Sequence, residues 1–139
     1  MSLIKKFRIK SFKEERPIIE LKNITISYGN RQIVEQFNLN LQKSVICGLL
    51  GPNGAGKSSI YHSIIGLVKP TFGKIIIDGV DATSIPTHQR CSKFGISWVP
   101  QYGGSWSDLS VFDNLMAIAE LHIKNNEERL SKVNNLIRK

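Results

Sequence analysis

Residues 51–59, GPNGAGKSS, decide the fold of this chain. Four of them match the pattern G-x-x-x-x-G-K-[ST], in which glycines let successive backbone N–H groups turn inward around a phosphate: Gly51, Gly56, Lys57 and Ser58. The apolar run VICGLL at 45–50 precedes this stretch, and apolar residues at helical spacing follow it at 60–68. A strand, a glycine loop and a helix in this order are the context that favours nucleotide binding over a glycine-rich turn without a ligand.

The chemistry of the pattern gives each part of the phosphate loop (residues 51–59) a role. The helix that begins near Lys57 directs the positive end of its dipole at the phosphates. We expect the Lys57 ammonium to reach the β- and γ-phosphates and the Ser58 hydroxyl to bind Mg²⁺. The predicted phosphate-binding residues are Gly51, Pro52, Asn53, Gly54, Ala55, Gly56, Lys57, Ser58 and Ser59.

Two residues outside the loop are further candidates for the nucleotide site. Tyr28 ends a predicted strand over 18–28, and an aromatic face at that position can stack on a purine. Gln101 ends a predicted strand over 95–101, and its side-chain carbonyl can complete a Mg²⁺ shell and position water. Taken alone, Tyr28 fits a packing residue equally well, and Gln101 fits a polar strand end.

Hydrophobic patterning predicts the remaining elements. The run at 45–50 is apolar throughout, which is typical of a strand buried on both faces in a parallel sheet. The strand at 74–78 lies between two tight turns, which favours an antiparallel hairpin strand. The other predictions are a strand over 33–41 after a Gly29-Asn30 turn, a short helix over 86–93, a helix from the capping box Ser110/Asp113 to about His122, and a helix from about Glu127.

Composition and charge exclude several classes. The chain has 139 residues, 41% hydrophobic and 22% charged, which is typical of a folded domain. No apolar run approaches the roughly 18 residues of a membrane-spanning helix, and no secretory signal is recognisable. Cys47 and Cys91 form no disulfide or metal pattern, as suits a reducing cytoplasm.

The net charge of +8 suggests an anionic partner, but the excess is unevenly placed. Half of it lies in residues 1–16, which we interpret as a basic, poorly ordered extension ahead of a domain over 17–139. This confinement argues against a nucleic-acid or membrane-surface binder that acts without enzymatic activity.

Five stretches, taken in order, resemble the nucleotide-binding domain of ABC transporters: SYGN, GPNGAGKSS, GKIIIDGVDATSIPTHQR, WVPQ and LSVFDNL. The resemblance implies an α/β P-loop NTPase fold, with an N-terminal antiparallel β subdomain and a parallel core sheet, that binds ATP and Mg²⁺. In that family the aromatic at the Tyr28 position stacks on adenine. The glutamine matching Gln101 contacts Mg²⁺ and links the site to the membrane partner.

The resemblance also implies partners and location. We expect a homodimer of ATPase subunits on the cytoplasmic face of the inner membrane, and no nucleic acid. Transmembrane permease subunits would contact the loop after Gln101, where Trp106 takes the place of an aromatic anchor. Among subfamilies the chain looks most like the lipopolysaccharide-export ATPase, with branched-chain amino acid importers next. It departs from the exporter at YGGSWSD, where Ser107 and Asp108 replace cationic positions, and Lys43-Ser44 replaces a common glycine turn.

The residues that hydrolyse ATP are not recognisable in this chain. Asp78 follows an apolar run, but its position in a tight turn argues against the Mg²⁺-side aspartate. No LSGGQ-like signature occurs, and three histidines are interpreted as surface or packing residues: His62, His88 and His122. By resemblance, the signature, the Mg²⁺-side Asp, the catalytic Glu and the switch His belong to the C-terminal half of the domain, so we expect no catalytic residue here and little hydrolysis by the chain alone.

A small-molecule kinase is the alternative from another enzyme class. Such an enzyme uses the same glycine loop but supplies an arginine-rich lid. Arg90 is the only arginine between Arg31 and Arg129, which weighs against this alternative.

Overall fold

The computed structural model describes residues 5–7, 16–101 and 103–138. The chain divides into two compact units, Met1–Trp98 and Val99–Lys139. The described elements are β1 (Lys5–Phe7), β2 (Ile19–Tyr28), β3 (Arg31–Leu41), β4 (Gly48–Leu50), α1 (Lys57–Ile65), β5 (Phe72–Ile77), β6 (Val80–Asp81), α2 (Thr87–Phe94), α3 (Val111–His122) and α4 (Asn126–Ile137).

The first unit contains an antiparallel sheet of four strands in the order β3-β2-β5-β6. The β2–β3 hairpin closes at the predicted Gly29-Asn30 turn, where Tyr28 pairs with Arg31. β5 lies antiparallel to β2 with Ile77 opposite Ile19, and β6 folds back on it through the turn at Asp78. The interpretation of 74–78 as a hairpin strand is therefore confirmed, and the strand extends over Phe72–Ile77.

One face of this sheet packs against α1. Ile60 on α1 is fully buried and joins the core cluster, and Ala82 from the loop after β6 is equally buried. The other buried members of the cluster come from three strands: Leu21, Ile24, Ile26, Val34, Phe37, Leu39, Ile75 and Ile77. The helix that follows the phosphate loop, α1, therefore packs directly on the antiparallel sheet.

The second unit contains the helix pair α3 and α4. Ser110 Oγ accepts a hydrogen bond from the Asp113 N–H at 3.1 Å and donates one to the Asp113 carboxylate, so the predicted helix start is confirmed. Asn125 caps α4 in the same way through the Glu128 N–H at 3.0 Å. Val133 on α4 is 1% exposed and forms the buried centre of the unit.

The expected parallel core sheet is not formed by the described residues. β4 has three residues and pairs antiparallel with β1, and no strand is found over 95–100. The prediction of a strand buried on both faces at 45–50 is also wrong, since Ile46 is 88% and Leu50 53% exposed. The physical reason is that a parallel partner needs a crossover connection, whereas the next strand along the chain, β5, pairs with β2 instead.

The first sixteen residues, predicted to be a poorly ordered extension, include a short strand. Residues 5–7 form β1 and pair with β4, with Lys5 opposite Leu50. The rest of the predicted tail, residues 1–4 and 8–15, lies outside the described residues.

Within the part of the chain that the structure describes, the helices are too short to cross a membrane. The longest, α3 and α4, have 12 residues each, against about 20 for a span.

A bulge between β2 and β5 makes Gly73 the most constrained glycine of the sheet. The register shifts between Lys22 and Thr25, and Asn23 in the bulge has φ 51°. Gly73 has φ 96°, and a Cβ there would collide with the backbone carbonyl oxygens of Lys22 and Asn23. Only glycine fits because both the conformation and the close backbone approach exclude a side chain.

We predict that Gly73→Ala lowers the free energy of unfolding by about 2–4 kcal/mol, because β2 and β5 must separate to admit the methyl group. Gly79→Ala is the matched control, since Gly79 has φ 76° but nothing within 4 Å of an added Cβ. The control should cost only about 1 kcal/mol of left-handed strain. Urea unfolding of both variants measures the difference, and equal losses would contradict the close approach.

Candidate nucleotide site

Glycines shape the phosphate loop through positive φ angles and close packing. Gly54 has φ 80° and Gly56 φ 88°, and the Ala55 N–H closes the turn on the Pro52 carbonyl at 3.2 Å. A Cβ on Gly56 would lie 2.6 Å from Val34 Cγ2 on β3. The loop therefore lies directly against the antiparallel sheet at this point, and the glycine pattern of the sequence has a steric cause.

The start of α1 is suited to an anion. Gly56 is its N-cap residue and supplies no side-chain cap, and the first turn contains no acidic residue. The Ile60 N–H makes the first intrahelical bond, to the Gly56 carbonyl at 3.0 Å, so helix geometry leaves the N–H groups of Lys57, Ser58 and Ser59 without an intrahelical acceptor. These donors and the positive end of the helix dipole favour negative charge.

The Lys57 ammonium lies over the loop. Its Nζ donates to the carbonyl oxygens of Gly51 and Pro52, at 2.7 Å each. The amine is thereby held at the mouth of the loop by neutral acceptors. Phosphate oxygens can replace these acceptors and form stronger, charge-assisted hydrogen bonds.

Tyr28 lies beside the same helix end. Its hydroxyl is 3.5 Å from Ser59 Oγ in the first turn of α1, and the residue is 50% exposed. Ser59 is buried, whereas Ser58 is exposed. The structure thus brings Tyr28 to the phosphate loop with much of its ring open to solvent, and the Ser58 hydroxyl is accessible to a ligand.

Arg90 is a residue of this region that sequence reasoning did not assign to it. Arg90 is 1% exposed and lies at the far end of α1, where its Nη1 donates to the carbonyl oxygens of Ser63 and Ile64 at 2.7 Å each. Burial lowers the pKa of its guanidinium from the usual value. An arginine in a short polar helix is expected at the surface, and no local sequence pattern indicates that Arg90 is buried.

Gln101 and Trp106 belong to the second unit. Gln101 is exposed, and so is Trp106 at 54%. The backbone around Trp106 is held by Asn114 of α3, whose side chain accepts from the Trp106 N–H at 2.8 Å and donates to the Trp106 carbonyl at 3.0 Å. Asn114 also donates to two further carbonyls of the loop, so the segment that presents Trp106 is ordered by one amide.

Asp78, Asp81 and His62 lie in a turn or in hydrogen-bond or packing contacts outside the phosphate loop. Asp78 is exposed in the turn between β5 and β6 with φ 49°. Asp81 accepts from the N–H and hydroxyl of Thr83, and these bonds lower the pKa of its carboxyl. His62 contacts the ring of Trp98 edge to face, with the ring centroids 5.7 Å apart. These contacts agree with turn and packing roles.

Comparison with known proteins identifies the family. The family model described as ABC transporter matches residues 34–139. The chain belongs to the ABC transporter family. The recognition made from the five sequence stretches is therefore confirmed.

Curated relatives of this ABC transporter chain include proteins named lipopolysaccharide export system ATP-binding protein LptB. The protein from Haemophilus influenzae is 40% identical over 104 residues, which are 75% of this chain and 43% of that protein. The protein from Escherichia coli is 38% identical over 117 residues, 84% of this chain and 48% of that protein. A probable ABC transporter ATP-binding protein from Azorhizobium caulinodans is 39% identical, with 80% of this chain and 39% of that protein covered. The chain spans less than half the length of these relatives.

Solved structures confirm the fold. An ATP-binding cassette of an ABC transporter has a TM-score of 0.66 at 23% identity and covers 90% of this chain and 47% of that chain. A dimeric ATP-binding cassette in a post-hydrolysis state, bound to ADP and Pi, has a TM-score of 0.67 at 21% identity and covers 86% of this chain and 56% of that chain. The described residues therefore have the fold of the N-terminal part of a P-loop ATPase.

If Tyr28 stacks on adenine, Tyr28→Ala should weaken nucleotide affinity by about 1–3 kcal/mol, since the base loses its aromatic platform. Tyr28→Phe is the matched control, because it keeps the ring and removes only the long hydrogen bond to Ser59. Calorimetric titration of the full-length protein with MgATP measures both. Loss of affinity in Tyr28→Phe equal to that in Tyr28→Ala would refute the stacking contact.

Proposed function

We propose that this chain holds the nucleotide in the ATP-binding subunit of an ABC transporter, and that the full-length protein couples ATP binding and hydrolysis to transport across the inner membrane. The observation that carries the proposal is the loop itself. Lys57 Nζ and the first-turn N–H groups of α1 lie at one end of one short helix, without a competing acidic residue in its first turn. A triphosphate fits this donor set because its charge is distributed over several oxygens.

The proposed metal is Mg²⁺. Ser58 and Gln101 would supply a hydroxyl and an amide oxygen, and phosphate oxygens would complete the shell, which suits a hard cation that keeps few protein ligands. Within the described residues, no cluster of three or more His, Cys, Asp or Glu offers a metal site of its own. The Mg²⁺ would therefore bind together with the nucleotide.

Arg90 weighs against the kinase alternative. The only arginine between Arg31 and Arg129 is buried against backbone carbonyls, so its guanidinium is not available to close over a phosphorylated substrate.

Lipopolysaccharide export is the proposed transport reaction. Relatives named as lipopolysaccharide export ATP-binding proteins match at 38–40% identity over three quarters or more of the chain. The subunit would act as a homodimer at the cytoplasmic face of the inner membrane, and a related cassette is a dimer in its structure. The exposed Trp106, on a segment ordered by Asn114, is the proposed anchor for the permease subunits.

In the full-length protein, Lys57→Met should abolish ATP turnover and weaken MgATP binding by about tenfold to a hundredfold. The reason is that a charged hydrogen-bond donor contributes about 1.5–3 kcal/mol. Lys43→Met is the matched control, since Lys43 is exposed in the turn before β4. Steady-state phosphate release and calorimetry measure the two effects. Retained ATP turnover in Lys57→Met would contradict the proposed role of the phosphate loop in binding ATP.

The substrate assignment requires the membrane complex. We expect ATP turnover by the full-length protein with its permease subunits in vesicles to be stimulated by lipopolysaccharide and not by branched-chain amino acids. Trp106→Ala should reduce recovery of the permease with the ATPase while MgATP affinity stays unchanged, because the proposal gives Trp106 a role in binding the permease and none in binding the nucleotide. If branched-chain amino acids stimulated ATP turnover instead, the result would contradict lipopolysaccharide export and favour the amino acid importer.

A further inference from the structure

The guanidinium of Arg90 joins the last turn of α1 to the loop between β6 and α2. Nη1 bonds the carbonyls of Ser63 and Ile64 in the last turn of α1, and Nε bonds the Ile85 carbonyl at 2.7 Å in the segment before α2. Nη2 lies 3.3 Å from the Thr83 carbonyl in the segment after β6. All four acceptors are backbone atoms, so the contacts are set by chain geometry and not by flexible side chains.

These bonds complete the C-terminus of α1. The last four carbonyls of a helix have no intrahelical donor. His62 O accepts from the N–H groups of Gly66, Leu67 and Val68, and Ser63 O accepts from the Gly66 N–H at 3.3 Å as well as from Arg90 Nη1. Ile64 O accepts from Arg90 Nη1. Without Arg90, the Ile64 carbonyl would lose this donor in a part-buried position.

The surrounding sequence leaves room for this cation. A Cβ on Gly66 would lie 3.0 Å from Arg90 Nε, and Gly66 itself ends the helix with φ 90°. No carboxylate among the described residues forms an ion pair with Arg90, although it is the most buried charged side chain there. Its positive charge is instead opposed by carbonyl dipoles and by the negative end of the α1 dipole.

α1 has nine residues and is about 13 Å long. So short a helix is not stable alone, and its position depends on the tertiary contacts at its two ends. Its N-terminal end packs against β3 through Gly56, and its C-terminal end is bound by Arg90.

We propose that Arg90 is a positioning residue for the phosphate site: by binding the last carbonyls of α1 it holds the helix so that the first-turn N–H groups and the phosphate loop keep the geometry that binds nucleotide. This inference rests on the proposed function. It assigns to Arg90 a role in nucleotide affinity beyond its role in stability.

The test separates affinity from stability in the full-length protein. Arg90→Met removes the charge and all four hydrogen bonds, and Arg90→Lys keeps the charge but not the fork. Gly73→Ala is the stability control, because it strains the β2–β5 contact and touches no part of α1. MgATP dissociation constants are measured by calorimetry at a temperature at which circular dichroism shows each variant folded, and hydrogen exchange is followed in the peptide over 51–60.

For folded Arg90→Met we expect MgATP binding about tenfold weaker than wild type and faster exchange over 51–60. The MgATP dissociation constant of Arg90→Lys should lie between those of wild type and Arg90→Met. Gly73→Ala should bind MgATP as wild type does. Wild-type affinity in Arg90→Met, or an equal loss in Gly73→Ala, would overturn the proposal. If Arg90→Met does not fold, Arg90→Lys decides alone: a threefold or greater loss supports the proposal and an unchanged dissociation constant refutes it.

Failure of the proposed function gives a different result. In that case wild type and Lys57→Met would show the same lack of MgATP binding, and the exchange measurement over 51–60 would decide the role of Arg90 without nucleotide. Faster exchange in Arg90→Met but not in Gly73→Ala supports positioning, and equal exchange refutes it.

Discussion

The shortness of α1 is the constraint on which the first unit depends. A helix of nine residues gains too few backbone bonds to offset its nucleation, so tertiary contacts must hold it. The structure supplies them along its whole length: Gly56 against Val34 at the start, Ile60 in the core, and Arg90 at the end. A loop that must present backbone N–H groups in fixed directions is thereby attached to the antiparallel sheet.

The sheet that holds α1 is irregular along β2. β2 pairs with strands on both sides and is shifted in register against each, with a left-handed residue at Asn23. Bulges increase the twist of a strand and re-aim its side chains. In β2 the register shifts against β3 lie between Leu21 and Ser27, and Leu21 and Ile26 are both buried in the core that receives Ile60. The bulge also requires a glycine at position 73, because the backbones of β2 and β5 approach too closely there for a side chain.

Local patterns predicted the hairpins, the glycine turn at 51–56 and the helices well, because turn glycines, capping residues and apolar spacing act over a few residues. The β2–β3 turn and the Ser110 cap are examples. Strand partners were predicted poorly. An apolar run such as 45–50 indicates burial in a sheet but not which strand lies beside it, and in this chain β1 occupies that place. The burial of Arg90 could not be predicted from local patterns for the same reason. Three of its four acceptor carbonyls lie more than five positions away along the chain.

Two cations contact α1 and its loop, one at each end of the helix. Lys57 and Arg90 both donate to backbone carbonyls, yet the consequences differ. Arg90 is buried, so exchanging its partners would require unfolding of the segment around it, and its charge acts as a fixed part of the structure. Lys57 is half-buried, and its carbonyl partners can be exchanged for charged oxygens that bind an ammonium more strongly. A phosphate would therefore compete only with neutral acceptors at the N-terminal end of α1, while Arg90 holds the other end. This difference between exchangeable and fixed partners is why the N-terminal end of the helix is the proposed ligand site.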